Sequence, residues 1–204
     1  MSRWHTPSSP WLPEPGPPGH GPEPGVAPRV DSRWIPGGAA CLAELGRLGV
    51  AYEKVSSLKG VDTPIHVTGP IGGIRFVAGA GLPLFCDCRL AMALAWTAPH
   101  LRELGVREIR FSGAYVNRRT RAGRPSRHAQ GLAIDLHAWT FGDDRLEVKR
   151  AFSRGLANGC SSEAPQLNRV ACRLRQLGLF KELLTPDHDG DHHDHFHLAI
   201  APLY

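Results

Sequence analysis

The sequence predicts an α+β domain with a small antiparallel central sheet and flanking helices. Three stretches repeat apolar residues with the period of a helix, and several short stretches alternate apolar and polar residues as strands do. Strands and helices follow one another in uneven order, which favours an antiparallel sheet over a doubly wound parallel one. The 204 residues, 42% hydrophobic and 21% charged, suit one soluble globular domain with a core.

Residues 1–37 are predicted to form a Pro/Gly-rich disordered tail that precedes a domain over residues 38–204. Ten of the 18 prolines lie before Gly37, and Pro-Gly and Pro-Glu steps repeat between Pro13 and Pro28. Proline lacks an amide donor and disfavours helix at the preceding residue, so polyproline II or disorder is expected. No chemistry is assigned to this tail.

Three helices are predicted within the domain. The first covers residues 41–48 and is stopped by Gly49. The second has apolar residues on one face from 90 to 104, a cap at Asp87, and a kink or restart at Pro99. The third covers residues 163–177 with a cap at Ser162. We interpret the second helix as a packing element across the sheet.

Strands are expected where short runs alternate apolar and polar residues. They cover residues 50–55, 106–115, 131–139, 179–184 and 196–201, with brief strands at 66–68 and 74–77 in a segment rich in glycine and proline. The run 196–201, continued back to the preceding residue, places His195 and His197 on one face and Phe196 and Leu198 on the other. Two imidazoles on the inner face of a strand need partners, and a metal ion is the simplest one.

A dense run of metal-binding residue types adjoins that last strand. Five of the eleven histidines lie between His188 and His197. Four aspartates lie among them: Asp187, Asp189, Asp191 and Asp194. Imidazole and carboxylate are the ligands that zinc takes where thiolate is not used. A second run, with fewer metal-binding residue types, contains His128 and, on the strand that follows, Asp135. Taken alone, Asp135 is interpreted as a solvent-facing residue. The alternative is that Asp135 belongs to a functional site.

The two runs together resemble the zinc peptidases of the D-alanyl-D-alanine carboxypeptidase and murein endopeptidase superfamily. The shared pattern is Ser-x-His-x-x-Gly-x-Ala-x-Asp, met by residues 126–135, followed about 60 residues later by His-x-x-His-x-His, met by residues 192–197. The resemblance implies a Hedgehog/D-Ala-D-Ala peptidase-like fold. It also implies a Zn2+ cofactor with three ligands, which are His128, Asp135 and His197.

A closer resemblance, over most of residues 39–201, is to the bacterial extensin-like C-terminal domain family. The matching pieces are Cys41-Leu-Ala-Glu-Leu, Cys88-Arg-Leu-Ala-Met-Ala-Leu-Ala-Trp96, Ser112-Gly-Ala-Tyr115 with Arg118, Ala171-Cys172, Leu184-Thr-Pro186 and Asp194-His-Phe-His197. Two departures concern cysteines that the family carries, where this chain has Asn117 and Gly72. Their loss is expected to remove a disulfide rather than a metal ligand.

The resemblance implies a hydrolytic mechanism at a catalytic zinc. Three protein ligands leave the fourth position open, and zinc-bound water is the expected nucleophile. His195 is the candidate base, because an imidazole titrates near pH 6.5 and can pass a proton to the leaving amine. His192 is expected to stabilise the oxyanion or to orient His195. His137 is interpreted as a neighbour of the site, and Asp194 as part of the loop or as a partner of an imidazole.

An arginine-rich loop lies just before the first run, and it contains Arg118, Arg119, Arg121, Arg124 and Arg127. By resemblance, Arg118 holds a substrate carbonyl or terminal carboxylate, with Tyr115 as a weaker neighbour. Five guanidinium groups could instead neutralise phosphates. Aromatic interleaving and a nucleic-acid reading motif are both missing from the sequence. The net charge of +5 favours anionic partners only mildly, and no nucleic-acid partner is expected.

The sequence therefore predicts a zinc metallopeptidase of D,D-endopeptidase or carboxypeptidase type that hydrolyses amide bonds in peptidoglycan or its stem peptides, as a monomer. The alternative is a zinc-binding or wall-binding module without activity. This substrate implies the cell envelope or periplasm, although the chain shows no secretory signal and no apolar run long enough for a transmembrane helix. Five cysteines leave at least one outside an intramolecular disulfide, and the spacing fits both reduced thiols and envelope disulfides.

Overall fold

A computed structural model describes residues 31–79, 81–120, 122–157 and 159–202. The predicted α+β class is confirmed, since helices pack with a six-stranded sheet and a three-stranded sheet around a shared core. The helices are α1 (Gly38–Arg47), α2 (Cys88–Glu103), α3 (Val148–Ala151) and α4 (Gln166–Leu177). The strands are β1 (Tyr52–Lys54), β2 (Pro64–Val67), β3 (Arg75–Ala78), β4 (Leu84–Asp87), β5 (Val106–Gly113), β6 (Ala133–Phe141), β7 (Asp144–Glu147), β8 (Glu182–Leu184) and β9 (Phe196–Ala199).

The larger sheet is organised around β6. Its strand order is β3-β5-β6-β9-β8, and β7 pairs with the second half of β6. All neighbours are antiparallel except β3 and β5, which run parallel at one end of the sheet. The smaller sheet, β1-β2-β4, is antiparallel throughout. The expected antiparallel sheet is thus present with one parallel pair added.

Apolar side chains of β6 and β9 form the part of the core nearest the candidate site. Ile134 lies opposite Leu198 and Leu136 lies opposite Phe196, and each is at most 1% exposed. The ring of Phe196 also packs against that of Trp139, with centroids 5.8 Å apart. Because burial of these side chains is favourable only in one register, it fixes how the two ligand-bearing strands pair.

Most of the predicted elements are present, with differences in detail. The predicted helices correspond to α1, α2 and α4, and Asp87 caps α2 by accepting a hydrogen bond from the Arg89 amide. The helix continues through Pro99 without a restart, because one lost helical hydrogen bond does not outweigh the burial of α2, and the kink predicted as the alternative stays a prediction. Ser162 is not the cap of α4, which begins after Pro165. The sequence did not indicate β4, β7 and α3, which have four residues each.

Structured residues are present before the predicted boundary at residue 37. Ser32–Trp34 form a 3-10 turn, and Ile35 is fully buried. The buried guanidinium of Arg89 donates to the carbonyls of Ile35 and Ser32, at 3.0 and 3.1 Å. The prediction of a disordered tail is therefore wrong for residues 31–37, because proline content does not reveal a distant hydrogen-bond donor. Residues 1–30 of the predicted tail lie outside the described residues.

Four of the five cysteines are paired. Cys41–Cys88 joins α1 to α2, and Cys160–Cys172 joins the segment before α4 to that helix. Cys86 is a free and buried thiol, and its burial raises its pKa. The structure thus selects the disulfide alternative over the reduced one, which the spacing alone left open.

A glycine allows the turn that carries His128 to contact the start of α2. The chain makes a 3-10 turn at His128–Gln130, and Gly131 follows with a φ of 66°. The Gly131 carbonyl accepts a hydrogen bond from the Asp87 amide, at 3.0 Å. A Cβ at residue 131 would lie 2.6 Å from the Asp87 nitrogen. The φ of residue 131 is also one that L-residues with a side chain rarely adopt. Only glycine therefore allows this turn to approach α2.

We expect Gly131→Ala to lower the free energy of unfolding by about 3 kcal/mol, through backbone strain together with the clash against the main chain of Asp87. Gly123→Ala is the matched control, because Gly123 has a φ of 76° with open space around it. The control should lose only about 1 kcal/mol, from the left-handed backbone alone. Urea denaturation measures both values. Equal losses would show that the contact with Asp87 does not require glycine.

Candidate metal centre

Three side chains from β6, β9 and the turn before β6 converge at one buried point. Asp135 lies opposite His197 in the sheet, and its Oδ1 is 2.9 Å from His197 Nδ1. His128 Nε2 lies 3.3 Å from Asp135 Oδ2 and 3.2 Å from His197 Nδ1. His128 and His197 are 1% and 8% exposed. Because Asp135 faces both imidazoles, its interpretation as a solvent-facing residue is wrong.

The spacing of these donor atoms fits a tetrahedral zinc ion. Zinc–nitrogen and zinc–oxygen bonds of about 2.1 Å place the donors of a tetrahedron about 3.4 Å apart. The three distances between donors, 2.9, 3.2 and 3.3 Å, lie close to that value. Two imidazole nitrogens and one carboxylate are also a ligand set that zinc accepts at catalytic sites. The residues present could therefore hold zinc with small adjustments.

In the metal-free protein, protons hold the same side chains together. Burial lowers the pKa of His197, but hydrogen bonding to Asp135 and Glu182 outweighs burial and raises that pKa to about 9. Burial raises the pKa of Asp135, but hydrogen bonds from His128 and His197 outweigh burial and hold that pKa well below its usual range. At neutral pH, His197 is thus a cation between two carboxylates. A metal ion has to displace its proton.

Glu182, on β8, supports His197 from the side opposite the donors. Its Oε2 lies 3.5 Å from His197 Nε2, and its Oε1 lies 3.5 Å from Nε of Arg127. A carboxylate on the second nitrogen of a metal-binding histidine orients the ring and increases its basicity. Sequence reasoning missed Glu182. A charged residue within the apolar run 179–184 was the available signal, but the sequence does not show that β8 pairs with β9.

His195, the predicted base, lies directly before β9 and next to the donors. Its Nε2 is 3.5 Å from Asp135 Oδ1. Its Nδ1 is 2.8 Å from Oδ1 of Asp194. Asp194 is therefore a partner of an imidazole, one of the two alternatives that the sequence left open. With Nδ1 donating to that carboxylate, Nε2 carries the lone pair on the side of Asp135.

His192 packs against two other imidazoles of the same cluster. Its ring centroid lies 5.2 Å from that of His195 and 5.8 Å from that of His197. Asp189 Oδ1 accepts a hydrogen bond from the His192 amide, at 3.1 Å, and lies 2.6 Å from His192 Nδ1. Hydrogen bonding to the His192 side chain holds the pKa of Asp189 below its usual value. The sequence analysis named Asp189 only as one of the aspartates among the histidines, although its spacing from His192 suits a cap of the intervening turn.

A cleft of about 470 Å³ opens onto the donors. Its lining includes His128, His197, Glu182, Arg118, Arg124 and Arg127. Within the described residues, no carboxylate pairs with Arg118 or Arg124. Arg121 lies outside the described residues. Tyr115 is not in this lining, and its hydroxyl donates to the Lys59 carbonyl at 3.2 Å. The structure thus places Arg118 in the same cleft as His128 and His197, whereas Asp135, His192, His195 and Tyr115 are not part of its lining.

The family model described as Extensin-like protein C-terminus matches residues 39–202. This range contains every residue of the cleft and of the donor cluster, and it agrees with the range of the resemblance found in the sequence. Neither the curated proteins nor the solved structures contain a match to the chain.

The stability of the metal-free protein should fall as the pH rises from 6.5 to about 9. The raised pKa of His197 means that its contribution is complete below its ordinary pKa of 6.5 and is lost as the pH passes about 9. The expected loss is about 3 kcal/mol of unfolding free energy. Urea denaturation in a chelator at both ends of this range measures it. Asp135→Asn is the control, and an equally steep fall in that variant would show that the Asp135–His197 pair is not the cause.

Removal of the carboxylate behind His197 should weaken zinc binding. We expect Glu182→Ala to raise the zinc dissociation constant about 10-fold to 100-fold, because the ring loses its orienting partner. Glu147→Ala is the matched control, since Glu147 pairs with exposed arginines outside the cleft. Competition with a chromogenic chelator measures both constants. An unchanged constant in Glu182→Ala would remove Glu182 from the centre.

Proposed function

The chain belongs to the extensin-like C-terminal family, and we propose that it is a zinc-dependent metallopeptidase that hydrolyses amide bonds in peptidoglycan peptides. The observation that carries this proposal is the convergence of His128, Asp135 and His197 next to a cleft lined by arginines. The same residues are the ligands that the resemblance to D-alanyl-D-alanine carboxypeptidases and murein endopeptidases implies. That resemblance also supplies the substrate class.

His128, Asp135 and His197 would hold the zinc ion. When bound, zinc polarises a carbonyl and lowers the pKa of water toward about 7. Three protein ligands are typical of catalytic zinc sites, which keep one position for water or substrate. Glu182 fixes the ring of His197, and Arg127 balances the charge of Glu182.

His195 is the general base of the proposed reaction. With its Nδ1 donating to Asp194, Nε2 carries the lone pair and lies 3.5 Å from Asp135. There it takes a proton from the water that attacks the carbonyl carbon of the substrate. When the carbon–nitrogen bond breaks, His195 gives this proton to the leaving amine.

His192 and Arg118 stabilise charge on the substrate. His192 packs against the base; as an imidazolium it donates from Nε2 to the oxyanion, and as a neutral ring with Nδ1 bonded to Asp189 it holds His195 in place. Arg118 lines the cleft without a carboxylate partner among the described residues, so its guanidinium is available for a substrate carbonyl or carboxylate. Tyr115 is the weaker of the two predicted substrate contacts, because its hydroxyl has to leave the Lys59 carbonyl first.

We propose that the protein acts as a monomer in the cell envelope. The disulfides Cys41–Cys88 and Cys160–Cys172 support an oxidising compartment. One chain supplies every side chain of the proposed mechanism. Within the described ranges, no helix has the length and apolar character needed to cross a membrane.

The position of the arginine-rich loop supports substrate binding over nucleic-acid binding. Arg118, Arg124 and Arg127 line the same cleft as two of the proposed zinc ligands. Arg127 is already paired with Glu182. Guanidinium groups gathered around a metal centre suit a ligand that carries a carboxylate, whereas a nucleic acid requires a broader cationic face.

Zinc content and product analysis test this function. The purified chain should retain zinc after dialysis and release peptides from isolated peptidoglycan, as detected by mass spectrometry. His128→Ala should lose zinc and cleavage together, because it removes a ligand. His195→Ala should retain zinc and lose cleavage by about 100-fold or more, because it removes only the base.

The control for both variants is His66→Ala, since His66 lies on β2 of the smaller sheet and pairs with Glu53. It should match the parent chain in zinc content and rate. A parent chain without zinc overturns the proposal. Retained zinc without cleavage indicates a binding module, and DNA binding that weakens with salt, without wall hydrolysis, indicates the nucleic-acid alternative.

A further inference from the structure

A second group of metal-binding side chains adjoins the proposed zinc site. It consists of His137, Asp194 and His195, whose candidate ligand atoms all lie within 4.8 Å of one another. We propose that this group is a second, weaker zinc site, and that its occupation prevents His195 from acting as a base. The inhibitory part rests on the function proposed above, whereas the binding part does not.

The carboxylate of Asp194 links the two imidazoles. Its Oδ1 lies 2.8 Å from His195 Nδ1, and its Oδ2 lies 4.0 Å from His137 Nδ1. The two rings are 5.1 Å apart between centroids, with their planes tilted by 36°. Both Nδ1 atoms thus lie within 4.0 Å of one carboxylate, and two imidazole nitrogens with one carboxylate oxygen are a set that can share an ion.

The sheet that builds the first site also builds the second. His137 is two residues beyond Asp135 on β6, and His195 is two residues before His197, so the period of two puts all four on one face. The Oγ of Ser112, on β5, lies 2.8 Å from His137 Nε2. This contact occupies Nε2 and leaves Nδ1 for Asp194. A hydroxyl on the second nitrogen of an imidazole is a common support for a metal ligand.

The second site should be weaker and easier to reach than the first. The side chains of His137 and Asp194 are 34% and 36% exposed, whereas that of His128 is 2% exposed. An ion can therefore enter from solvent. The 4.0 Å separation between His137 and Asp194 exceeds the roughly 3.4 Å of a tetrahedral zinc site, so the side chains have to close on the ion. The first site, already near that spacing, should fill first.

Occupation of the second site changes the proton position on His195. A neutral imidazole carries one proton, and when the proton of His195 is on Nδ1 it is donated to Asp194, 2.8 Å away. An ion on Nδ1 moves the proton to Nε2, the nitrogen 3.5 Å from Asp135. Nε2 then becomes a donor and no longer accepts a proton from water. Zinc beyond the first equivalent should therefore inhibit the proposed hydrolysis.

Zinc titration of the full chain, followed by calorimetry and by nitrogen NMR of the imidazoles, tests this inference. We expect two zinc ions per parent chain, one tight and one weaker. His137→Ala should bind only the tight ion, His128→Ala only the weaker one, and His66→Ala should match the parent. With one ion, Nε2 of His195 should appear unprotonated, and with two it should appear protonated. Hydrolysis by the parent should fall at least about 10-fold as the second ion binds, as expected when a general base is lost.

Several results overturn the inference and leave the proposed function intact. One zinc ion on the parent chain, or two on His137→Ala with unchanged affinities, removes the second site. An unprotonated Nε2 in the two-ion state removes the inhibitory part. Failure of the proposed function looks different, since a parent chain that binds two ions but never cleaves peptidoglycan keeps the second site. The number of zinc ions bound and the protonation of His195 Nε2 then test the inference even if the chain has no peptidase activity.

Discussion

The register of β6 against β9 is the constraint on which the candidate centre depends. Side chains alternate along a strand, so a shift by one residue would turn Asp135 or His197 to the opposite face of the sheet. The buried pair Leu136 and Phe196 opposes that shift, because it would expose apolar side chains that now lie in the core. Packing on one face of the sheet therefore sets the spacing of the donors on the other.

Without a metal, hydrogen bonds from the imidazoles to carboxylates hold the centre together. Their loss sets the cost of metal binding. His128 Nδ1 is buried and has no hydrogen-bond partner among the described residues, so the polar contacts of that ring all come from Nε2. Asp135 and His197 bring donors to within 2.9 Å of each other, slightly closer than the roughly 3.4 Å of a tetrahedral ion. Exchange of a proton for zinc thus requires shifts of tenths of an ångström. The cost of metal binding is mainly deprotonation of His197 rather than rearrangement of the chain.

Sequence reasoning succeeded where the signal is local and failed where it depends on partners. Helices α1, α2 and α4 extend over ten or more residues and show their period, whereas β4 and β7 have four residues each. The donors were named because they lie in two short motifs. Glu182 was missed because its importance comes from the pairing of β8 with β9. The anchoring of residues 31–35 was missed for the same reason, since Arg89 is more than 50 residues away in the chain.

The charges around the cleft bear on the choice between the two peptidase types. Arg127 is balanced by Glu182, but Arg118 and Arg124 have no carboxylate partner in the described part of the chain. A zinc ion adds two positive charges, and Asp135 cancels only one. With the proposed zinc bound, the cleft would be cationic and would attract a free carboxylate more strongly than a neutral amide. In the proposed enzyme, this difference favours cleavage next to a carboxylate, as in a carboxypeptidase, over cleavage within an uncharged stretch of peptide.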